Sequence, residues 1–363
     1  MTPIDWQELY AANQAAIHGA RGGGPAPAAV LPNMPQLPPR HEVRSRLRPP
    51  LAPASPATEG MERLDGSRPA YVHVPRGLTP DTAVPLLVML HGCTQDAASF
   101  AHATRMNAAA DRHGFAVLYP EQTRQDNVQG CWNWFAAEHQ ARGGGEPAAI
   151  ATAARAVLAE GTRWTIDPAR VFVAGLSAGG AMAAVMATTH PDLFAGVAVH
   201  SGLAYGAATT MPAAFAAMSG GGPDPARSER AALAAMGTHR RAVPALVIHG
   251  TADATVSPVN GDQVAAQWLA TNRAADPAAA VAALGAPSER STGRMDGGYA
   301  HTRRRWLSAG GALMLEYLVV EGLGHAWSGG VPGGSYTDPR GVSATEAICD
   351  FLARVGEDGP RPA

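Results

Sequence analysis

From about Arg68 onward, short apolar runs alternate with longer, Ala-rich stretches of helical character. Ala70–Val74, Leu86–His91, Ala116–Tyr119, Val171–Ala174, Gly196–His200, Ala245–His249 and Leu313–Val320 read as strands. Ala97–His113, Pro147–Trp164, Gly179–His190, Pro258–Thr271 and Ser343–Val355 read as helices. Near-continuous apolar strands separated by helices predict an α/β domain, a mostly parallel central sheet with helices on both faces. His301–Val320 departs from that rhythm: two strand-like runs flank Ala309-Gly310-Gly311, which predicts a hairpin. Gly202–Ala242 holds no clear strand and reads as a helical excursion above the sheet, either shaping a cleft or covering the core.

Before Arg68 the alternation is absent. A short helix is expected over Asp5–Ala20. Gly22–Pro56 is rich in Pro, Gly and Ala and carries Arg40, Arg44, Arg46 and Arg48. Such a segment buries too little apolar surface to offset its chain entropy. Residues 1–67 are therefore read as a largely disordered arm, 68–357 as the folded domain and 358–363 as a flexible tail. The Arg cluster is read as a solvated linker, with partner binding as the alternative.

Charge and cysteine usage narrow the chemistry. The net charge of −2 gives no reason to expect nucleic acid as a partner. All 28 basic residues are Arg, which excludes mechanisms built on a Schiff-base or P-loop Lys. The three cysteines form no CxxC pair, so no zinc site is expected, nor any other metal or cofactor. No apolar run is long enough for a transmembrane helix. No basic stretch followed by an apolar one opens the chain, so a signal peptide is not read and a cytoplasmic location is favoured, with an extracellular one as the alternative.

The sharpest local signal is Val171-Phe-Val-Ala-Gly-Leu-Ser-Ala-Gly-Gly180, an apolar strand running through GxSxG into a helix. Glycines on either side permit a sharp turn that lifts Ser177 above the sheet as a nucleophile. A Ser nucleophile needs a base, and the base needs an orienting carboxylate. Asp253 follows the strand Ala245–His249, and His325 follows Leu313–Val320, so both come after Ser177 in the order acid, then base. Asp262 falls within a predicted helix, Asp338 comes after His325, and His200 and His249 read as core or supporting histidines. The strand before His91-Gly-Cys-Thr-Gln95 supplies the early loop that an oxyanion hole requires. Cys93 N–H and Ala178 N–H are the expected donors, with His91 bracing the loop. Cys93 and Cys131 fall in loops at the same end of the predicted sheet and are read as a disulfide or as two separate thiols. Trp132, Trp134 and Trp327 lie on loops at that end and are candidates to grip an apolar substrate, as are Tyr205 and Tyr336.

Six motifs together resemble the poly(3-hydroxybutyrate) depolymerase family of esterases, over about Arg68 to Val355. They are His91-Gly-Cys-Thr-Gln95, Tyr119-Pro-Glu121, Cys131-Trp-Asn-Trp134, Gly175-Leu-Ser-Ala-Gly179, His249-Gly-Thr-Ala-Asp253 and Gly324-His-Ala-Trp-Ser-Gly-Gly330. Their order is similar to the type I catalytic domain. The resemblance implies an α/β-hydrolase fold, a Ser-Asp-His triad, hydrolysis of polyester or short hydroxyacyl esters, no cofactor, and a bridge between Cys93 and Cys131. It adds a polymer granule surface as a possible partner and a granule-associated location. Feruloyl and acetyl-xylan esterases are similar in the same core and stand as the alternative substrate class. A non-catalytic binding protein on the same fold is the third alternative.

Overall fold

The computed structural model describes residues 60–66, 68–277 and 286–358. The expected arm, including the helix over Asp5–Ala20 and the Arg cluster, lies outside the described residues save for its end, and so does the tail beyond 358.

Among the described residues, ten strands form one sheet. Its centre is six parallel strands: β4 (Ala116–Pro120), β3 (Ala83–Leu90), β5 (Thr165–Leu176), β6 (Gly196–His200), β7 (Ala245–Gly250) and β10 (Leu313–Val320), in that spatial order. All seven strands read from the sequence are present. The hairpin is also present, formed by β9 (Ala300–Leu307) and β10 in antiparallel register. Antiparallel pairs close both margins: β1 (Glu62–Leu64) and β2 (Ala70–His73) beside β4, and β8 (Glu289–Arg294) outside β9. The pattern missed β8 because its residues are polar and exposed, with no buried face to betray a period of two.

Side chains leave each strand alternately to opposite faces. In β3, Leu86, Val88 and Leu90 enter one core while Leu87 and Met89 enter the other. The first core takes α3 (Gly145–Leu158), α4 (Ala178–Thr189) and α7 (Val259–Ala275); the second takes α1 (Ala97–Thr104), α2 (Met106–His113) and α8 (Ala344–Asp358). Every residue of α4 is buried, which is why it reads as uniformly apolar rather than striped. This is the α/β-hydrolase arrangement. The excursion after β6 contains α5 (Met211–Gly220) and α6 (Pro225–Met236).

One predicted helix is divided. Ala97–His113 breaks at Arg105, which has φ 55° and ψ 27°. The carbonyls that would continue the helix are taken elsewhere: Val331 N–H donates to Ala103 O at 3.1 Å and Thr345 Oγ1 donates to Thr104 O at 2.6 Å. Tertiary donors replace the next intrahelical bonds, and no local Gly or Pro announces it.

The chain builds β4 on one side of β3 and then returns to place β5 on the other. The order reverses beyond the C-terminal ends of β3 and β5, the place at which open α/β sheets bind their ligands. Both the GxSxG turn and the His91–Gln95 loop start there.

Candidate active site

Ser177 sits between β5 and α4 with φ 59° and ψ −120°, a backbone conformation that costs about 1–3 kcal/mol for a residue other than Gly. Close packing maintains it. A Cβ on Gly175 would lie 2.3 Å from Gly179 O, and one on Gly179 would lie 2.0 Å from Leu90 O. Only hydrogen fits at either position, so the glycines serve backbone approach as well as turn geometry.

Ser177, Asp253 and His325 converge. His325 Nδ1 lies 2.8 Å from Asp253 Oδ2, and His325 Nε2 lies 2.9 Å from Ser177 Oγ. Burial alone would raise the Asp253 pKa, but the His325 hydrogen bond and the Val256 N–H hold it below its ordinary value. The carboxylate is therefore ionised and can only accept. That places the imidazole proton on Nδ1 and leaves Nε2 to accept from the Ser177 hydroxyl. Asp253 Oδ1 is occupied separately, accepting from Thr255 N–H at 3.0 Å and Val256 N–H at 2.8 Å.

Three further histidines are buried nearby and are held neutral by burial. His91 donates from Nδ1 to Gly92 O at 2.8 Å and accepts at Nε2 from Gln122 N–H at 3.1 Å. Both nitrogens are used to hold the loop, so neither is free to act as a base. His200 accepts at Nε2 from Ser328 N–H at 3.1 Å, and its pKa is pushed down to about 3. His249 donates from Nε2 to Val256 O at 2.9 Å, with Asp253 Oδ2 a further 3.6 Å contact.

The loop after β3 packs on the elbow: a Cβ on Gly92 would lie 3.7 Å from that of Ser177. Gly92 N–H is taken by Gln95 Oε1 at 2.9 Å. Among the described residues, Cys93 N–H and Ala178 N–H have no protein acceptor. Cys93 is bridged to Cys131 by a disulfide, and Thr94 N–H donates to Gln129 O at 2.7 Å. The two loops are thus tied together.

The three tryptophans are placed differently from the expectation that they contact substrate. Trp132 is fully buried beside His91, with ring centroids 5.5 Å apart. Trp134 is buried in the core with its edge to Phe135. Trp327 is buried and stacked on His200 at 5.1 Å, and its Nε1–H donates to Thr345 Oγ1 at 3.1 Å. Each ring fills space beneath the loops, so none is available to grip a chain. Tyr205 is buried too, its hydroxyl donating to Gln140 O at 2.7 Å.

Residues that sequence reasoning gave no role complete the scaffold. Glu146 is fully buried and accepts from Asn133 N–H at 2.8 Å and Asn133 Nδ2 at 2.7 Å. Gln95 joins Gly92 to Ser335 O, the second bond being 3.0 Å. Both lie in or near motifs already noted, but a helical Glu and a loop Gln carry no local mark of their partners.

Comparison with known proteins shows the family of the chain. The sequence profile of the family described as esterase PHB depolymerase matches residues 70–290. The chain is 36% identical to poly(3-hydroxyalkanoate) depolymerase C of Paucimonas lemoignei, over 72% of this chain and 58% of that one. It is 32% identical to a probable acetylxylan esterase A of Aspergillus clavatus, over 54% of this chain and 64% of that one. The chain thus spans less than two thirds of the length of either relative. Among solved structures, an acetyl xylan esterase from Aspergillus awamori shares the fold, with TM-score 0.62, 20% identity and coverage of 81% of this chain and 98% of that one.

Proposed function

We propose that this chain, which belongs to the esterase PHB depolymerase family, is a serine esterase that cleaves polyester or oligomeric hydroxyacyl esters through an acyl-enzyme on Ser177. The observation that carries this reading is the continuous relay from Ser177 Oγ through His325 to an ionised Asp253, with bonds of 2.9 and 2.8 Å, at the point where the sheet order reverses. His325 Nε2 takes the hydroxyl proton as Ser177 Oγ attacks the ester carbonyl carbon. The carbonyl pair moves onto oxygen, where Cys93 N–H and Ala178 N–H donate to it. Collapse of the adduct breaks the bond to the alcohol oxygen, which leaves with the proton from His325. Water, deprotonated by the same nitrogen, then releases the acid. Asp253 holds the tautomer and stabilises the imidazolium.

The depolymerase of Paucimonas lemoignei supports the polyester reading, and the probable acetylxylan esterase supports an acetylated carbohydrate as the second. Product release from 3-hydroxybutyrate oligomers, methyl ferulate and acetylated xylan, measured side by side, separates them. Ser177→Ala removes the nucleophile and is expected to lower turnover by about 10⁴-fold or more with the fold intact. Retained turnover on all three substrates would refute the serine mechanism. A polymer surface is the partner that fits a polyester substrate. The Cys93–Cys131 bridge supports an oxidising compartment, and so favours the extracellular alternative over the cytoplasm. Among the described residues, no helix is long and apolar enough to cross a membrane.

A further inference from the structure

We infer that Tyr336 is a specificity-determining residue that walls the leaving-alcohol side of the cleft and favours esters of apolar alcohols. This inference rests on the esterase reading above. The Tyr336 ring stands edge-on to His325, with centroids 6.2 Å apart and planes at 79°. It is 46% exposed, although it is a large aromatic beside a buried relay. Its backbone has φ 50°, a left-handed conformation that a bulky residue adopts only where its surroundings impose it.

Those surroundings are visible. Tyr336 O accepts from Trp327 N–H at 2.7 Å, within the short parallel pair of β11 (Trp327–Ser328) and β12 (Thr337–Asp338). This pair fixes the Tyr336 loop to the segment that carries His325. On the other side, Gln95 Nε2 donates to Ser335 O at 3.0 Å while Gln95 Oε1 accepts from Gly92 N–H at 2.9 Å. The loop is therefore tied both to the base and to the oxyanion loop, and the ring is held at the opening rather than folded onto the core.

The chemistry gives the side of the cleft. His325 Nε2 must return its proton to the alcohol oxygen, so that oxygen and its substituent leave past His325. A group standing against His325 faces the alcohol portion. The acyl portion stays on Ser177, with its carbonyl oxygen toward the two oxyanion donors. Among the described residues Tyr336 is the one exposed large aromatic side chain, so the surface it offers beside His325 is apolar.

The test varies the alcohol while the acyl group stays constant. Acetate esters of methanol, butanol and benzyl alcohol are compared in wild type, Tyr336→Ala, Tyr336→Leu and Tyr336→Phe. Loss of the aromatic wall is expected to lower the ratio of kcat/KM for the benzyl over the methyl ester by about 3- to 10-fold in Tyr336→Ala. Tyr336→Phe should restore the ratio and Tyr336→Leu should restore it in part. Breakdown of the acetyl-enzyme, followed after a chromogenic burst, contains no alcohol and should track wild type. A ratio that does not change, or a loss of acyl-enzyme breakdown that parallels the loss of acylation, would overturn the assignment. Fluorophosphonate labelling of Ser177 in the same variants separates the two levels. Failure to label wild type defeats the esterase reading itself, whereas labelling with an unchanged alcohol ratio defeats only the role of Tyr336.

Discussion

Replacing Asp253 by Asn tests the relay at the atom on which it depends. Asp253 Oδ1 accepts two backbone N–H groups, from Thr255 at 3.0 Å and Val256 at 2.8 Å. An Asn in this position must keep its carbonyl oxygen there, because an NH₂ would face two donors. Its NH₂ is then forced into the Oδ2 position, 2.8 Å from His325 Nδ1. Facing a donor, Nδ1 becomes the acceptor and the ring proton moves to Nε2, so the nitrogen 2.9 Å from Ser177 Oγ points a hydrogen at it and cannot accept its proton. Shape and volume barely change, so the fold should survive. The loss expected from a wrong tautomer alone is about 10⁴-fold in kcat, or roughly 5.5 kcal/mol of transition-state stabilisation. Steady-state kinetics on a small chromogenic ester at pH 7 measures it, with circular dichroism as the folding control. A folded Asp253→Asn protein that loses less than tenfold would show that Asp253 does not set the tautomer.

Other features make separate predictions. Gly179→Ala places a Cβ 2.0 Å from Leu90 O, so it should abolish both fluorophosphonate labelling and the native melting transition, and a labelled, native-like variant would contradict the packing argument. Opening the Cys93–Cys131 bridge, which closes 38 residues, should cost about 4 kcal/mol by loop entropy, read as a fall in the denaturation midpoint on reduction or in Cys131→Ser. Stability should also fall with acid. His200 is held neutral in the fold with a pKa near 3, while in the unfolded chain it protonates near its ordinary value. Below about pH 6.5 the unfolded state therefore binds the extra proton, and stability declines as pH drops. At pH 5 this single residue contributes a loss of about 2 kcal/mol, and thermal melts between pH 7.5 and 5 should show it. A melting temperature that does not vary over that range would refute it.

Much of this protein was legible along the chain, because the signals involved are local. Apolar runs of strand length marked β3, β5, β6, β7 and β10, since a strand buried on both faces must be apolar throughout. The elbow at Ser177 declared itself by its glycines and by its place between strand and helix. Asp253 and His325 followed from chain order, although they lie 72 residues from each other, and His325 lies 148 from Ser177. Other features were not legible, because their cause lies on another segment. Arg105 breaks a helix only because Val331 and Thr345 capture its last carbonyls. The tryptophans looked like surface aromatics on loops, and packing on His91, His200 and the core decided otherwise. By itself, then, the sequence determined which elements form and which three side chains belong together, since each depends on neighbours within a few residues or on the order of the chain. Only the tertiary structure decided which aromatic ring stands at the opening. Exposure is a property of everything packed around a residue, and Tyr336 alone of the candidate aromatics is held open to solvent beside His325.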